Sequence, residues 1–212
     1  ARPVPVALPA REVASDVSLV LDDGTRETSY GYVAGGQLLW LNRFTPAPGV
    51  SPFTLTTVAV VLGPHVAVGS LIDLYVYEDT DGDGDPATGA VLRTSLTDAP
   101  VQEAGAETFS VYEVPPTVFS GPGDVIIAVV NRTCGMIPGE YPAAMDQTTC
   151  AGRSYLGGYT DGPPPDPPTL PPDGFFDLMT DGNWMVRGYG VSGEYFPWLQ
   201  QELNECHGSF AV

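Results

Sequence analysis

Short apolar stretches, rich in β-branched and aromatic residues and closed by glycine or proline, recur along this chain. That is the pattern of strands and tight turns rather than of helices. Val17 to Leu21 is the first, ended by the turn signal Asp22-Asp23-Gly24. Gln37 to Phe44, Thr54 to Leu62 and Leu71 to Glu78 follow, punctuated by the Pro46 to Pro52 region and by Gly63-Pro64. In Leu71-Ile72-Asp73-Leu74-Tyr75-Val76-Tyr77 the side chains favour a pleated surface. Val91 to Thr97, Glu107 to Val114 and Asp124 to Asn131 continue the series. The last contains Val125-Ile126-Ile127-Ala128-Val129-Val130, apolar at every position, which predicts a central strand buried on both faces. Asn183 to Gly190 closes it.

Three stretches depart from this pattern. Residues 3 to 13 alternate proline with apolar side chains, and proline fixes φ while removing a donor, so an extended arm or edge strand is expected there. Residues 132 to 182 read as loop-rich, and Gly162 to Gly174 holds seven prolines, predicting a long surface loop with polyproline character. Tyr195 to Cys206 reads as the one helix, with Pro197 in its first turn and Gly208 just past its end. The expected fold is all-β: a two-sheet, jelly-roll-like β-sandwich over residues 17–194, after an arm over 1–16 and before a helix and tail over 195–212.

Between two of the predicted strands lies Glu78-Asp79-Thr80-Asp81-Gly82-Asp83-Gly84-Asp85-Pro86. Carboxylates at alternate positions repel one another and pack poorly, but the same spacing suits a hard cation. Asp79, Asp81 and Asp83 can turn oxygens inward while Gly84 makes the sharp turn, as in the first half of an EF-hand loop. The twelfth position, where an EF-hand carries its bidentate Glu, is Ala90, so Asp85 or Glu78 is expected to supply the remaining charge. The reading is a calcium loop on a β-hairpin, set against a solvated acidic hairpin tip.

Composition narrows the partners. Eight basic residues, all arginine, stand against 26 acidic ones, for a formal charge of −18. Such a surface repels phosphate backbones and anionic lipid, and no apolar run approaches the ~20 residues of a membrane helix, so neither nucleic acid nor membrane insertion is expected. A start at Ala1 without Met gives the expectation of a processed, secreted chain at or outside the cell surface. Cys134 and Cys150 bracket a Pro/Gly-containing loop that a disulfide would stabilise in an oxidising compartment. Cys206 is the odd cysteine, either a buried thiol or a link to another chain.

Leu21-Asp22-Asp23-Gly24-Thr25-Arg26-Glu27, then Trp40-Leu41-Asn42-Arg43-Phe44-Thr45-Pro46, then Gly152-Arg153-Ser154-Tyr155 and Asn183-Trp184-Met185-Val186-Arg187-Gly188 carry a resemblance. Over roughly residues 20 to 190 the order resembles β-sandwich modules appended to secreted bacterial proteins, often beside peptidases. The resemblance implies a non-catalytic binding or structural role, and the expectation here is a module that stands alone.

The residues agree that no enzyme is expected. Only His65 and His207 occur, with no His-Glu-x-x-His, no Gly-x-Ser-x-Gly elbow and no nucleotide-binding glycine fingerprint. Asp22, Asp23, Asp124 and Asp146 sit beside turn residues and read as caps rather than as a glycosidase pair. Trp40 and Trp184 belong to apolar strands and read as core, while Tyr155 and Tyr159 are candidate glycan contacts. Asn131-Arg132-Thr133 fits a glycosylation sequon. Two functions follow. The first is a calcium-stabilised structural protein associating with copies of itself in a fibre, sheath or surface layer, its Pro3 to Val13 arm (Val4, Val6, Leu8) completing a neighbour's sheet. The alternative is a carbohydrate- or surface-binding accessory module that takes polysaccharide.

Overall fold

The computed structural model describes residues 16–103 and 108–193, which form strands, turns and loops without a helix. The strands in chain order are β1 (Val17–Leu19), β2 (Thr28–Tyr30), β3 (Leu39–Phe44), β4 (Phe53–Val61), β5 (Leu71–Asp79), β6 (Ala90–Pro100) and β7 (Phe109–Phe119). They continue as β8 (Val125–Asn131), β9 (Ala143–Asp146), β10 (Ser154–Gly158), β11 (Phe175–Leu178), β12 (Asn183–Trp184) and β13 (Val186–Ser192). The expected arm over 1–16, apart from Asp16, lies outside the described residues, as does the expected helix over Tyr195 to Cys206.

Every ladder is antiparallel. One sheet has the order β1-β13-β4-β7, a second β11-β10-β3-β8-β5-β6, and a small third β12-β9-β2. Alternation sets the layers. Ile72, Leu74 and Val76 of β5 and Val125, Ile127 and Val129 of β8 share one core with Phe53, Leu55, Val58 and Val60 of β4 and Val186 of β13. Trp40 and Trp184 are fully buried in that core, as their apolar strands predict. Each such aliphatic or aromatic side chain contributes about 1.5–3 kcal/mol on burial, so this shared interior holds the two larger sheets together.

The alternate residues of the six-stranded sheet are buried too. Leu39, Leu41, Tyr75, Tyr77, Ile126, Ala128 and Val130 form a second cluster on its far face. The proline-rich segment 162–174 is what covers them. Tyr77 donates its hydroxyl hydrogen bond to Pro168 O at 2.7 Å, Tyr159 to Thr169 O at 2.8 Å, and Leu170 packs against the cluster. The seven prolines thus make a strap rather than a free loop. β8 is buried on both faces, as its unbroken apolar run predicts, because one face meets the opposing sheet and the other meets the strap.

The stretch from 132 to 182 is loop-rich, as expected, with three short strands, β9, β10 and β11, set into it. They are short and carry Gly157, Gly158, Asp146 and Asp177, so local propensity is weak, and pairing with β2, β3 and each other makes them strands. The stretch from Asn183 to Gly190 is two strands, not one. Met185 donates to Ala144 O and accepts from Val61 N, both at 3.0 Å, and hands the chain from the small sheet to the four-stranded one.

Candidate functional site

β5 delivers Asp79 at its last position, and the chain loops through Asp81, Asp83 and Asp85 before β6 starts at Ala90. Asp79 is fully buried, while Asp81 and Asp83 are exposed. The Asp79 carboxylate accepts hydrogen bonds from Gly82 N at 3.0 Å and Gly84 N at 2.9 Å. Asp83 accepts from Asp85 N at 2.7 Å and from Thr88 Oγ1 at 2.9 Å. Thr80 closes the hairpin by donating to Gly89 O through both N, at 3.0 Å, and Oγ1, at 2.9 Å. The result is convergence: one oxygen from each of Asp79, Asp81 and Asp83 lies within 4.8 Å of the others. Oxygens sharing one calcium at about 2.3–2.6 Å lie at most roughly 5 Å apart, so the triad is the right size for that ion.

The loop is seated on the sheets by close backbone approach. Gly84 has φ +75°, and a Cβ there would lie 2.6 Å from Arg43 Nη1. A Cβ on Gly123 would lie 1.7 Å from Asp79 O, so the turn before β8 presses directly on the last residue of β5. Asp79 N donates to Asp124 O at 2.9 Å, and Arg43 of β3 pairs with the Asp124 carboxylate. A guanidinium therefore lies beneath the acidic loop. Arg43 was legible as the one charge in Leu39–Phe44, but its partner was not.

The carboxyls of Asp81 and Asp83 are shifted in opposite directions by their neighbours. The Asp81 carboxyl is pushed above its ordinary value, chiefly because it shares a hydrogen bond with that of Asp79. The Asp85 N–H and then the Thr88 hydroxyl hold Asp83 below its ordinary value. A divalent ion at the triad would compete with protonation of Asp81 and offset the charge of the carboxylates around it.

Glu78 and Asp85, the two other expected ligands, are not brought to the triad. Successive strand residues point to opposite faces, so Glu78 and Asp79 diverge at the end of β5. Glu78 instead pairs with Arg93. Asp85 turns back to accept from Ala87 N at 2.9 Å and acts as a turn closure.

The other buried carboxylates are structural. Asp22 pairs with Arg187, Asp73 with Arg132 and Asp124 with Arg43. Asp22 also caps Gly24 N at 3.1 Å, Asp23 accepts from Thr25 N at 2.8 Å, and Asp146 accepts from Asp23 N at 3.0 Å and Thr148 N at 2.7 Å. Arg132, named in the sequence only as the middle residue of the sequon, holds the strap. It pairs with Asp73 and donates to Pro164 O at 2.7 Å, while Tyr75 donates to Asp166 Oδ1 at 2.9 Å.

Tyr155 and Tyr159 are both half-buried on the strap side of the sheet. Tyr155 stacks on Phe176 with ring centroids 5.1 Å apart. Tyr159, with Tyr32, Gln37, Met136 and Pro163, lines an open groove of about 510 Å³ at the end of the sheet remote from the acidic loop. The sequon asparagine is fully buried, with its amide donating to Gly36 O and Cys134 O and accepting from Leu38 N, so Asn131 is a strand-end anchor.

The expected Cys134–Cys150 disulfide is absent: both are free thiols, Cys134 buried and Cys150 exposed. Each is held by a different neighbour: Cys134 O accepts from the Asn131 amide at the end of β8, and the Cys150 thiol donates to Met179 O at 3.7 Å. Burial pushes the Cys134 thiol up to about 12.

Comparison with known proteins finds no matching family and no matching curated protein. Among solved structures, the chain is similar to the cysteine protease and lectin-like domains of Cwp84, a surface layer associated protein of Clostridium difficile, with a TM-score of 0.47 and 14% identity. The match covers 74% of this chain and 33% of that one, so this chain spans about a third of its length. No residue role is carried across it.

Proposed function

We propose that this chain is a non-catalytic, calcium-stabilised extracellular module, built as a two-layer, jelly-roll-like sandwich, that associates with copies of itself. The observation that carries the calcium part is the convergence of Asp79, Asp81 and Asp83 to within 4.8 Å on a hairpin closed at both ends. Asp79 belongs to β5, a central strand of the larger sheet, so an ion held there ties the loop to the body. The role is structural, since strands rather than a helix pair flank the loop. The non-catalytic part is supported by the carboxylates of Asp22, Asp73, Glu78 and Asp124, each engaged by an arginine. Self-association is supported by the alternation of Val4, Val6 and Leu8 with proline and alanine in the sequence ahead of β1, the outermost strand of its sheet among the described residues. Sedimentation velocity of the full chain over a concentration series, with calcium and with chelator, tests this. Growth of higher-order species with concentration is expected; a monomer throughout contradicts it.

A second reading has its own observation. The groove shared by Tyr159 and Tyr32 offers aromatic rings beside the polar Gln37 and Thr160, the mixture that receives a sugar ring. Retention on polysaccharide that is lost in Tyr159→Ala would support it, and equal retention of both would exclude this groove.

A further inference from the structure

The groove shared by Tyr32 and Tyr159 is walled by surface, not by core: Met136, Thr160 and Pro163 are exposed, and Tyr32, Gln37 and Tyr159 are half-buried. Its volume of about 510 Å³ falls within the roughly 300–1,000 Å³ of small-molecule sites. No charged side chain lines it, and Arg132, which borders it through Gln37, is paired with Asp73. In a chain of net charge −18, a groove without a cation of its own disfavours anionic ligands.

Most of the polar groups around it are already engaged. Gly35 N donates to Tyr32 O at 2.9 Å and Gly36 N to Gly135 O at 2.8 Å. Gln37 spends one amide N–H on Arg132 O at 2.9 Å and one lone pair on Arg132 Nη1 at 3.3 Å, which leaves it one of each. Thr160 donates its N–H to Asp173 Oδ1 at 3.1 Å and its hydroxyl to Asp173 O at 3.3 Å. The Tyr159 hydroxyl is used on Thr169 O. A ligand is therefore offered two aromatic rings, the Met136 thioether and a few residual hydrogen bonds. One of these is the Tyr32 hydroxyl, which has no partner among the described residues.

Resting on the carbohydrate-binding reading, we infer that this groove takes a neutral, β-linked glycan whose rings hold all their hydroxyls equatorially. In such a pyranose the hydroxyls radiate around the ring edge, and only C–H bonds line its two faces. The negative face of an aromatic ring attracts those C–H bonds. The sugar face can settle on tyrosine while its hydroxyls stay in water or reach Gln37 and Tyr32. An axial hydroxyl would be pressed against a ring and lose its water without gaining a partner. A peptide suits the groove less, because its backbone N–H and C=O groups would be dehydrated against groups already paired. The described chain also begins and ends elsewhere. Asp16, bonded to Ser192, lines a hollow with Phe44 and Thr45 at the far end of β3, about 20 Å along that strand from Leu39.

Calorimetric titration of the full chain with three matched hexasaccharides tests this. They are cellohexaose, the mannose hexamer of the same β linkage, which differs by an axial hydroxyl on each ring, and the corresponding glucuronic acid hexamer, which keeps the equatorial pattern and adds carboxylates. Cellohexaose is expected to bind, and the other two at least about tenfold more weakly. Tyr159→Ala is expected to abolish binding, and Tyr159→Phe, which keeps the ring, to retain it. Should Tyr159→Ala lower the melting midpoint, Met136→Asp at an exposed position on the groove wall is expected to abolish binding as well. A mannose or glucuronic acid hexamer that binds as tightly as cellohexaose overturns the neutral, equatorial class while leaving carbohydrate binding in place. Cellohexaose binding that survives both Tyr159→Ala and Met136→Asp overturns this groove as the site. No binding of any hexamer overturns the carbohydrate reading itself and this inference with it.

Discussion

The Asp79 carboxylate accepts the backbone N–H of Gly84 at 2.9 Å, across five residues, so a buried acid organises the exposed loop that follows it. Replacing Asp79 by Ala removes the acceptor for both Gly82 N and Gly84 N. Leaving partly buried donors unpaired costs about 1–3 kcal/mol, so Asp79→Ala is expected to lower stability by that amount even with chelator present. Asp83→Asn, at an exposed position, is expected to cost little in chelator. Urea denaturation of the two variants checks the difference.

Calcium binding should depend on pH through Asp81. Its raised value means that the ion-free folded chain binds this proton more tightly than the unfolded chain does. Between the unfolded value and the raised one, the folded chain carries more protons, so this carboxyl lowers stability as pH rises. Asp83 acts the other way: its lowered value contributes stability that is present above the unfolded value and lost as pH falls through the folded one. Calcium competes with protonation of Asp81. Affinity is therefore expected to weaken as pH falls into the carboxylate range, with proton release on binding at the acid end. Titrations in two buffers of different ionisation heat measure that release.

The strap depends on Arg132. Its partner Asp73 is almost completely buried, and Arg132 also holds Pro164 O and the Tyr75 hydroxyl. Removing one member of such a pair strands the other, which costs about 3 kcal/mol or more. Arg132→Met is expected to lose roughly that much stability and to speed amide exchange in β11, which follows the strap directly. Hydrogen exchange read by mass spectrometry gives both values, and an unchanged β11 would show that the strap is held by its apolar contacts alone.

The two described thiols should separate cleanly. Cys150 is expected to react with an aromatic disulfide reagent in the folded protein, whereas Cys134 reacts only after denaturation, being buried and poorly ionised. Peptide mapping of the labelled protein checks this, and a native Cys134–Cys150 crosslink in the map would contradict it.

What could be read from the sequence follows the strength of each local signal. β4, β5 and β8 are long, apolar runs, and nothing but a strand accounts for them. β9, β10 and β11 are four or five residues each and owe their form to partners distant in sequence. Asp79, Asp81 and Asp83 were legible because alternate spacing is itself the geometry of a wrapped loop. The exclusion of Glu78 was legible too, since a strand's period of two separates it from Asp79, but the rule has to be carried to the strand's last residue. The strap was hidden for a different reason. Polyproline composition announces an extended segment and is silent on the tyrosine hydroxyls of β5 that bind it.

The most direct test is calorimetric titration of calcium into the chelator-treated full chain, with a melting curve at each end. One saturable binding event is expected, with a melting midpoint raised in proportion to RT ln(1 + [Ca]/Kd), about 2.7 kcal/mol at a hundredfold excess over Kd, and both effects lost in Asp81→Asn. No heat, and the same midpoint in calcium and in chelator, would contradict a metal-stabilised module.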